Sequence, residues 1–124
     1  MSTYAAKTEV TADRSRSEIE RTLERYGASH FGYMTEPGRA VIAFRKGNRQ
    51  VRFIVPVRQR WRALSLVVKA KLEAVETGIA SFEEEFYAYT LLPSGRTVFE
   101  ETSEQVSSMI QTGMPGRLML EADA

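Results

Sequence analysis

RAVIAFRKGNRQVRFIVP, residues 39–56, is the stretch whose reading decides the fold. Its first half alternates, with Ala40, Ile42 and Phe44 on one face and Arg39, Val41, Ala43 and Arg45 on the other. Gly47-Asn48 is a two-residue hairpin turn, and alternation resumes after it, with Val51, Phe53 and Val55 opposite Gln50, Arg52 and Ile54. Period two on both sides of such a turn predicts an antiparallel hairpin with one apolar face, strands 39–46 and 49–56.

Upstream, residues 30–35 read as a further strand that ends at Glu36-Pro37-Gly38. Proline presets φ there and glycine tolerates positive φ, so the chain turns into the hairpin. The product is a three-stranded antiparallel meander whose outer face carries Arg39, Arg45 and Arg52. Before it, Ser15 and Glu18 have capping-box spacing and Ile19, Leu23 and Tyr26 recur helically, predicting a helix over 16–26. Residues 1–14 are expected to form a flexible N-terminal arm.

After the meander, a long helix is expected over 58–78. Trp61, Leu64, Val68, Leu72, Val75 and Ile79 form its inward stripe, and Ala63, Val67, Ala70 and Ala74 a second apolar strip. Ser81 and Glu84 open another helix, with Phe82, Phe86 and Tyr89 inward. A short strand at 97–99 and a helix over 102–112, with Val106, Met109 and Ile110 inward, complete the order α-β-β-β-α-α-(β)-α. This is a single α+β domain over 15–113, with helices flanking the meander and a loose C-terminal tail at 114–124.

Composition narrows the function classes. The 124 residues suffice for one core, and the chain has no cysteine, which removes disulfides, thiolate zinc sites and cysteine nucleophiles. No apolar stretch approaches the roughly 20 residues of a spanning helix. The N-terminus has no apolar h-region. The expectation is a cytoplasmic protein without a membrane partner.

Enzyme chemistry finds little support. The single histidine, His30, reads as a partly buried or surface imidazole, and no G-x-S-x-G turn presents a serine. Glu83, Glu84 and Glu85 are consecutive, so a helix fans them apart and does not converge them on a metal. Neither a catalytic residue nor a cofactor is expected.

The net charge of +1 conceals segregation. Residues 1–72 hold 15 basic residues against 6 acidic, while 73–124 hold 2 against 10. Between Arg39 and Lys71 there are ten basic residues and no acid, and seven of the ten are Arg. Arginine favours bidentate contact with phosphate or carboxylate. Arg58, Arg60 and Arg62 crowd a helix start without a Ser, Thr, Asp or Asn cap, where unpaired N–H groups already attract anions. Glu83–Glu85 or Glu100 and Glu101 are the acids that would neutralise these arginines from within. Trp61, between Arg60 and Arg62, falls in the core stripe.

Four segments carry a resemblance: Gly38–Arg45, Arg60–Leu64, Lys69–Glu76 and Leu92–Val98. Over about residues 15–100 the chain resembles a family of small uncharacterised phage and prophage proteins. The resemblance implies a phage or mobile-element setting and no activity. The order α-β-β-β-α over 16–78 is similar to that of a double-stranded-RNA-binding domain, although the usual Lys-Lys-x-Ala-Lys motif is missing.

These features lead to the expectation of a non-enzymatic protein that binds DNA or RNA through backbone phosphates, using Arg45, Arg49, Arg52, Arg58, Arg60 and Arg62. The alternative is an interaction module that binds and inhibits a host protein, such as a defence nuclease. Self-association through the oppositely charged halves or the Ala63/Val67/Ala70/Ala74 strip is compatible with either.

Overall fold

A computed structural model describes residues 3–56 and 60–116, with side chains from residue 13 onward. Helix α1 (Thr3–Glu24) leads into strands β1 (Ser29–Glu36), β2 (Arg39–Lys46) and β3 (Arg49–Val55). Helices α2 (Trp61–Glu76), α3 (Phe82–Glu85) and α4 (Val98–Thr112) follow, with a 3₁₀ turn at Tyr87–Tyr89 between the last two. The strands form one antiparallel sheet in the order β1-β2-β3. The α+β meander with flanking helices is therefore the observed fold.

Register puts the sequence alternation to use. Ile42 pairs with Phe53, Phe44 with Val51 and Ala40 with Val55, so the apolar faces of β2 and β3 coincide. All six side chains are buried. Gly47 has φ +62, the left-handed value that a two-residue hairpin loop requires at its first position. On this sheet face sit Ile19 and Leu23 of α1, Trp61, Val68 and Leu72 of α2, and Phe86. Phe86 is the aromatic hub, with ring centroids 4.4 Å from Phe82, 6.0 Å from Phe44 and 6.2 Å from Phe53. Trp61 is a core residue, as its phase predicted.

Several expectations need correction. α1 begins at Thr3, so most of the expected arm is helical. Ala5, Ala6, Lys7 and Glu9 are good helix formers, and no Gly or Pro precedes Gly27. Ser15 is buried inside that helix and does not cap it. α2 starts at Trp61 and ends at Glu76, leaving Ile79 beyond it and exposed. Its second apolar strip stays exposed at Ala63, Val67 and Ala70.

The region after α2 differs most. α3 is a single turn, because the chain must extend by Thr90 to bridge Val51 beside β3. The strand expected at 97–99 reduces to one bridge between Leu91 and Thr97. Thr97 caps α4, which starts at Val98, four residues earlier than expected. The cause is the Thr97/Glu100 capping box: the Thr97 hydroxyl accepts from the Glu100 amide, and the Glu100 carboxylate accepts from the Thr97 amide. Val106 and Ile110, assigned to the core from periodicity, are exposed. Of the tail, residues 113–116 follow α4 without regular structure, and the rest lies outside the described residues.

Candidate nucleic-acid interface

The six arginines singled out from the sequence separate into three groups. Arg49 and Arg52 are held by acids of the C-terminal half. Arg49 Nη2 lies 3.0 Å from Glu83, and Arg52 Nη2 donates to both carboxylate oxygens of Glu100 at 2.7 and 2.8 Å. Arg58 lies outside the described residues. Arg45, Arg60 and Arg62 are exposed and form no ion pair among the described residues.

The other basic residues of the acid-free run have partners of several kinds. Arg39 pairs with Glu36, Lys69 with Glu18 at 2.6 Å, and Lys71 donates to the Glu85 backbone carbonyl at 2.8 Å. Lys46 sits over the Phe82 ring. On the outer sheet face Arg39 and Arg52 are held in ion pairs, and Arg45 has none among the described residues. Arg45 stands beside the hairpin turn on the outer sheet face. At the start of α2, Trp61 lies on the inner face with its ring 6.0 Å from that of Tyr33.

A second set of arginines takes their place. Arg14 and Arg21, seven residues apart, share one face of α1, Arg25 follows four residues later just past its end, and all three are exposed. None has an ion pair among the described residues. Reading the acid-free run as a unit passed over them, because Glu18, Glu20 and Glu24 intervene in sequence. Helical phase was the signal that would have found them.

Helix packing brings the two sets together. Glu18 of α1 accepts from Ser65 at 3.1 Å and from Lys69 at 2.6 Å, and Tyr26 donates to Glu76 at 2.5 Å. These pairs are separated by 47, 51 and 50 residues. A near-constant separation means that α1 and α2 run parallel, so Arg14, one turn before Glu18, lies level with the first turn of α2. Arg60 and Arg62 stand there. Arg60 is the N-cap residue of α2 and provides no side-chain cap bond, so the first N–H groups of that helix have no side-chain acceptor from the cap.

Asp13, Glu18, Glu20 and Glu76 on these two helices are engaged. Lys69, and after it Ser65, hold the Glu18 carboxyl below its ordinary value by hydrogen bonding, and the charge of Arg62 adds to the effect. The Tyr26 hydroxyl is pushed up, chiefly because it donates to Glu76. Burial, then its hydrogen bond to Glu20, pushes the Tyr33 hydroxyl up as well. Asp13 is taken by Arg16, whose guanidinium lies over the Tyr33 and Trp61 rings. Charge along the helix pair is therefore graded. The end at Arg14, Arg60 and Arg62 is basic, while the groove at the other end mixes Arg25 and Lys69 with Glu73 and Glu76.

Other chemistry is poorly served. His30 is exposed, has φ +58 in the strand irregularity at the start of β1, and meets Ser29 at 2.7 Å. No cluster of three or more metal-ligating side chains occurs among the described residues. No described helix is long and apolar enough to cross a membrane.

Comparison with protein-family models, with curated proteins and with solved structures returns no match.

Proposed function

We propose that the chain is a non-enzymatic protein that binds nucleic acid through its backbone phosphates, along the parallel α1–α2 pair. The observation that carries this reading is the placement of Arg14, Arg60 and Arg62, none with an ion pair among the described residues, at the same end of the α1–α2 pair, where α2 starts without a side-chain cap. Arg21 and Arg25 extend the line of charge along α1. Guanidinium groups beside unpaired helix N–H groups suit phosphate oxygens. Arg45 is a peripheral contact at most, and Arg49 and Arg52 belong to the internal ion pairs.

The α-β-β-β-α order shared with double-stranded-RNA-binding domains makes duplex RNA the first probe, with duplex DNA beside it. Recognition would be largely independent of sequence, because phosphate contacts position a protein without reading bases. The test is titration of labelled RNA and DNA duplexes at rising salt. Binding that weakens steeply with salt supports the reading, and undetectable binding at about 50 mM salt ends it. The phage or mobile-element setting belongs to the same proposal.

The alternative of a host-protein inhibitor whose acidic half mimics nucleic acid has less support. Glu83, Glu85, Glu100 and Glu101 are each paired with a base of the same chain. A pull-down from host lysate with and without nuclease separates the two. A protein partner that survives digestion favours the inhibitor.

A further inference from the structure

The two edges of the sheet are finished differently. Beside β3, Thr90 bridges Val51 and the Leu91 N–H donates to the Gln50 carbonyl at 2.7 Å, so that edge is partly closed. β1 has β2 as its one neighbour in the sheet. Pro37-Gly38 is a two-residue loop, so Glu36 and Arg39 form the hydrogen-bonded pair that closes it. Bonding then alternates back along the strand. Met34 exchanges bonds with Val41, whereas Tyr33 and Thr35 turn their N–H and C=O groups to the open side. No described backbone group meets them there. Edge strands are ordinarily guarded by charge, proline or a bulge. The irregularity of β1 lies at its start, between Ser29 and Gly32, and from Phe31 to Thr35 the strand carries neither charge nor proline.

The two faces beside this edge differ in chemistry. On the inner face, the Tyr33 hydroxyl donates to Glu20 at 3.0 Å, and the charge of Glu24, one helical turn further on, also acts on it. Neither carboxylate has an ion pair among the described residues, and like charges four residues apart on a helix repel. Arg16, whose guanidinium lies over the Tyr33 ring, is taken by Asp13. On the outer face, Met34 pairs with Val41 and Val41 with Ile54, a row across all three strands. Met34 is 59% exposed and Ile54 42%.

A strand laid along β1 would send alternate side chains to these two faces. We infer that the edge accepts an extended peptide segment of a partner protein as a fourth strand. Its basic side chains face Glu20 and Glu24, and its apolar ones continue the Met34–Val41–Ile54 row. Backbone pairing to Tyr33 and Thr35 supplies affinity, and the alternation supplies selectivity. The surface does not include Arg14, Arg60 or Arg62, so it stands apart from the nucleic-acid reading.

The test is a nuclear magnetic resonance titration of the full-length chain with a Lys-Val repeat peptide as long as β1. Saturable shifts are expected at the amides of Tyr33 and Thr35. The same peptide with its backbone N-methylated keeps its charge but cannot pair, and should not bind. A Glu-Val repeat should not bind either. Glu20→Lys/Glu24→Lys should weaken Lys-Val binding about tenfold. Thr35→Pro removes an N–H that β2 does not use, and should abolish binding with far-UV circular dichroism unchanged. Should that variant not fold, the peptide comparison decides alone. No shift up to about 1 mM peptide, or equal binding by the N-methylated or Glu-Val peptide, overturns the proposal. A dimer of the free chain that Thr35→Pro dissolves would assign the edge to a second copy, and overturns it as well.

Discussion

Arg52 on the outer face of the sheet grips the carboxylate of Glu100 with one nitrogen, at 2.7 and 2.8 Å from its two oxygens, while that carboxylate also accepts from the Thr97 amide at 2.8 Å. One side chain therefore closes the capping box of α4 and ties that helix to β3. The Thr97 amide, and then the charge of Arg52, hold the Glu100 carboxyl below its ordinary value. An arginine chosen from sequence as a phosphate ligand is held in an ion pair within the fold.

Arg52→Gln should leave nucleic-acid affinity nearly unchanged and lower stability by about 1 kcal/mol, the scale of a partly exposed charged hydrogen bond. Thr97→Ala should cost about 1 kcal/mol as a lost helix cap. The two act on one carboxylate, so the double variant should not lose the sum. Urea unfolding of the single and double variants measures both points.

Glu18 and Glu100 are depressed for identifiable reasons, which fixes the direction of pH dependence. A carboxyl with a lowered folded-state pKa contributes stability that is present above its unfolded value, near 4.5, and lost as pH falls through the folded value. Stability should therefore decline on acidification below about pH 4.5. Glu18→Gln and Glu100→Gln should each flatten that decline, measured as urea midpoints between neutral and acid pH.

The core prediction concerns Phe86, buried at the meeting of three phenylalanine rings. Phe86→Ala leaves a cavity between sheet and helices and should cost about 3–5 kcal/mol. Phe99→Ala, at an exposed ring of the same type, should change stability by less than about 0.5 kcal/mol. Thermal melts of the two variants give the comparison.

How far the sequence was legible follows from which forces were local. The hairpin at 39–55 was readable because strand phase, turn chemistry and burial all agree there. The core phases of Trp61, Val68 and Leu72 were readable for the same reason. Of the short strand at 97–99 only the Leu91–Thr97 bridge forms, because Glu100 completes the Thr97 capping box and takes Val98 and Phe99 into α4. Val106 and Ile110 were assigned to the core because periodicity shows that a helix has an apolar face, and does not show what covers it. Basic residues were found correctly, but their availability depends on Glu83, Glu85 and Glu100, which lie distant in sequence and close in space. Arg14 was overlooked because only the packing of α1 on α2 sets it level with the first turn of α2.

Charge removal on the α1–α2 face should be selective. Arg60→Gln, Arg62→Gln and Arg14→Gln should each weaken binding on every duplex sequence tested. Each should also reduce the salt slope by about 0.9 on duplex DNA, the share of one phosphate contact. Arg49→Gln, which removes a base already paired with Glu83, serves as the matched control and should leave the slope unchanged.

The central claim is tested most directly by the salt dependence of duplex affinity for the native chain beside the Arg14→Gln/Arg62→Gln double variant. The account predicts a linear fall of log K with log salt on duplex DNA, and a slope shallower by about 1.8 in the double variant. Equal slopes for the two proteins, or an affinity indifferent to salt, would contradict it.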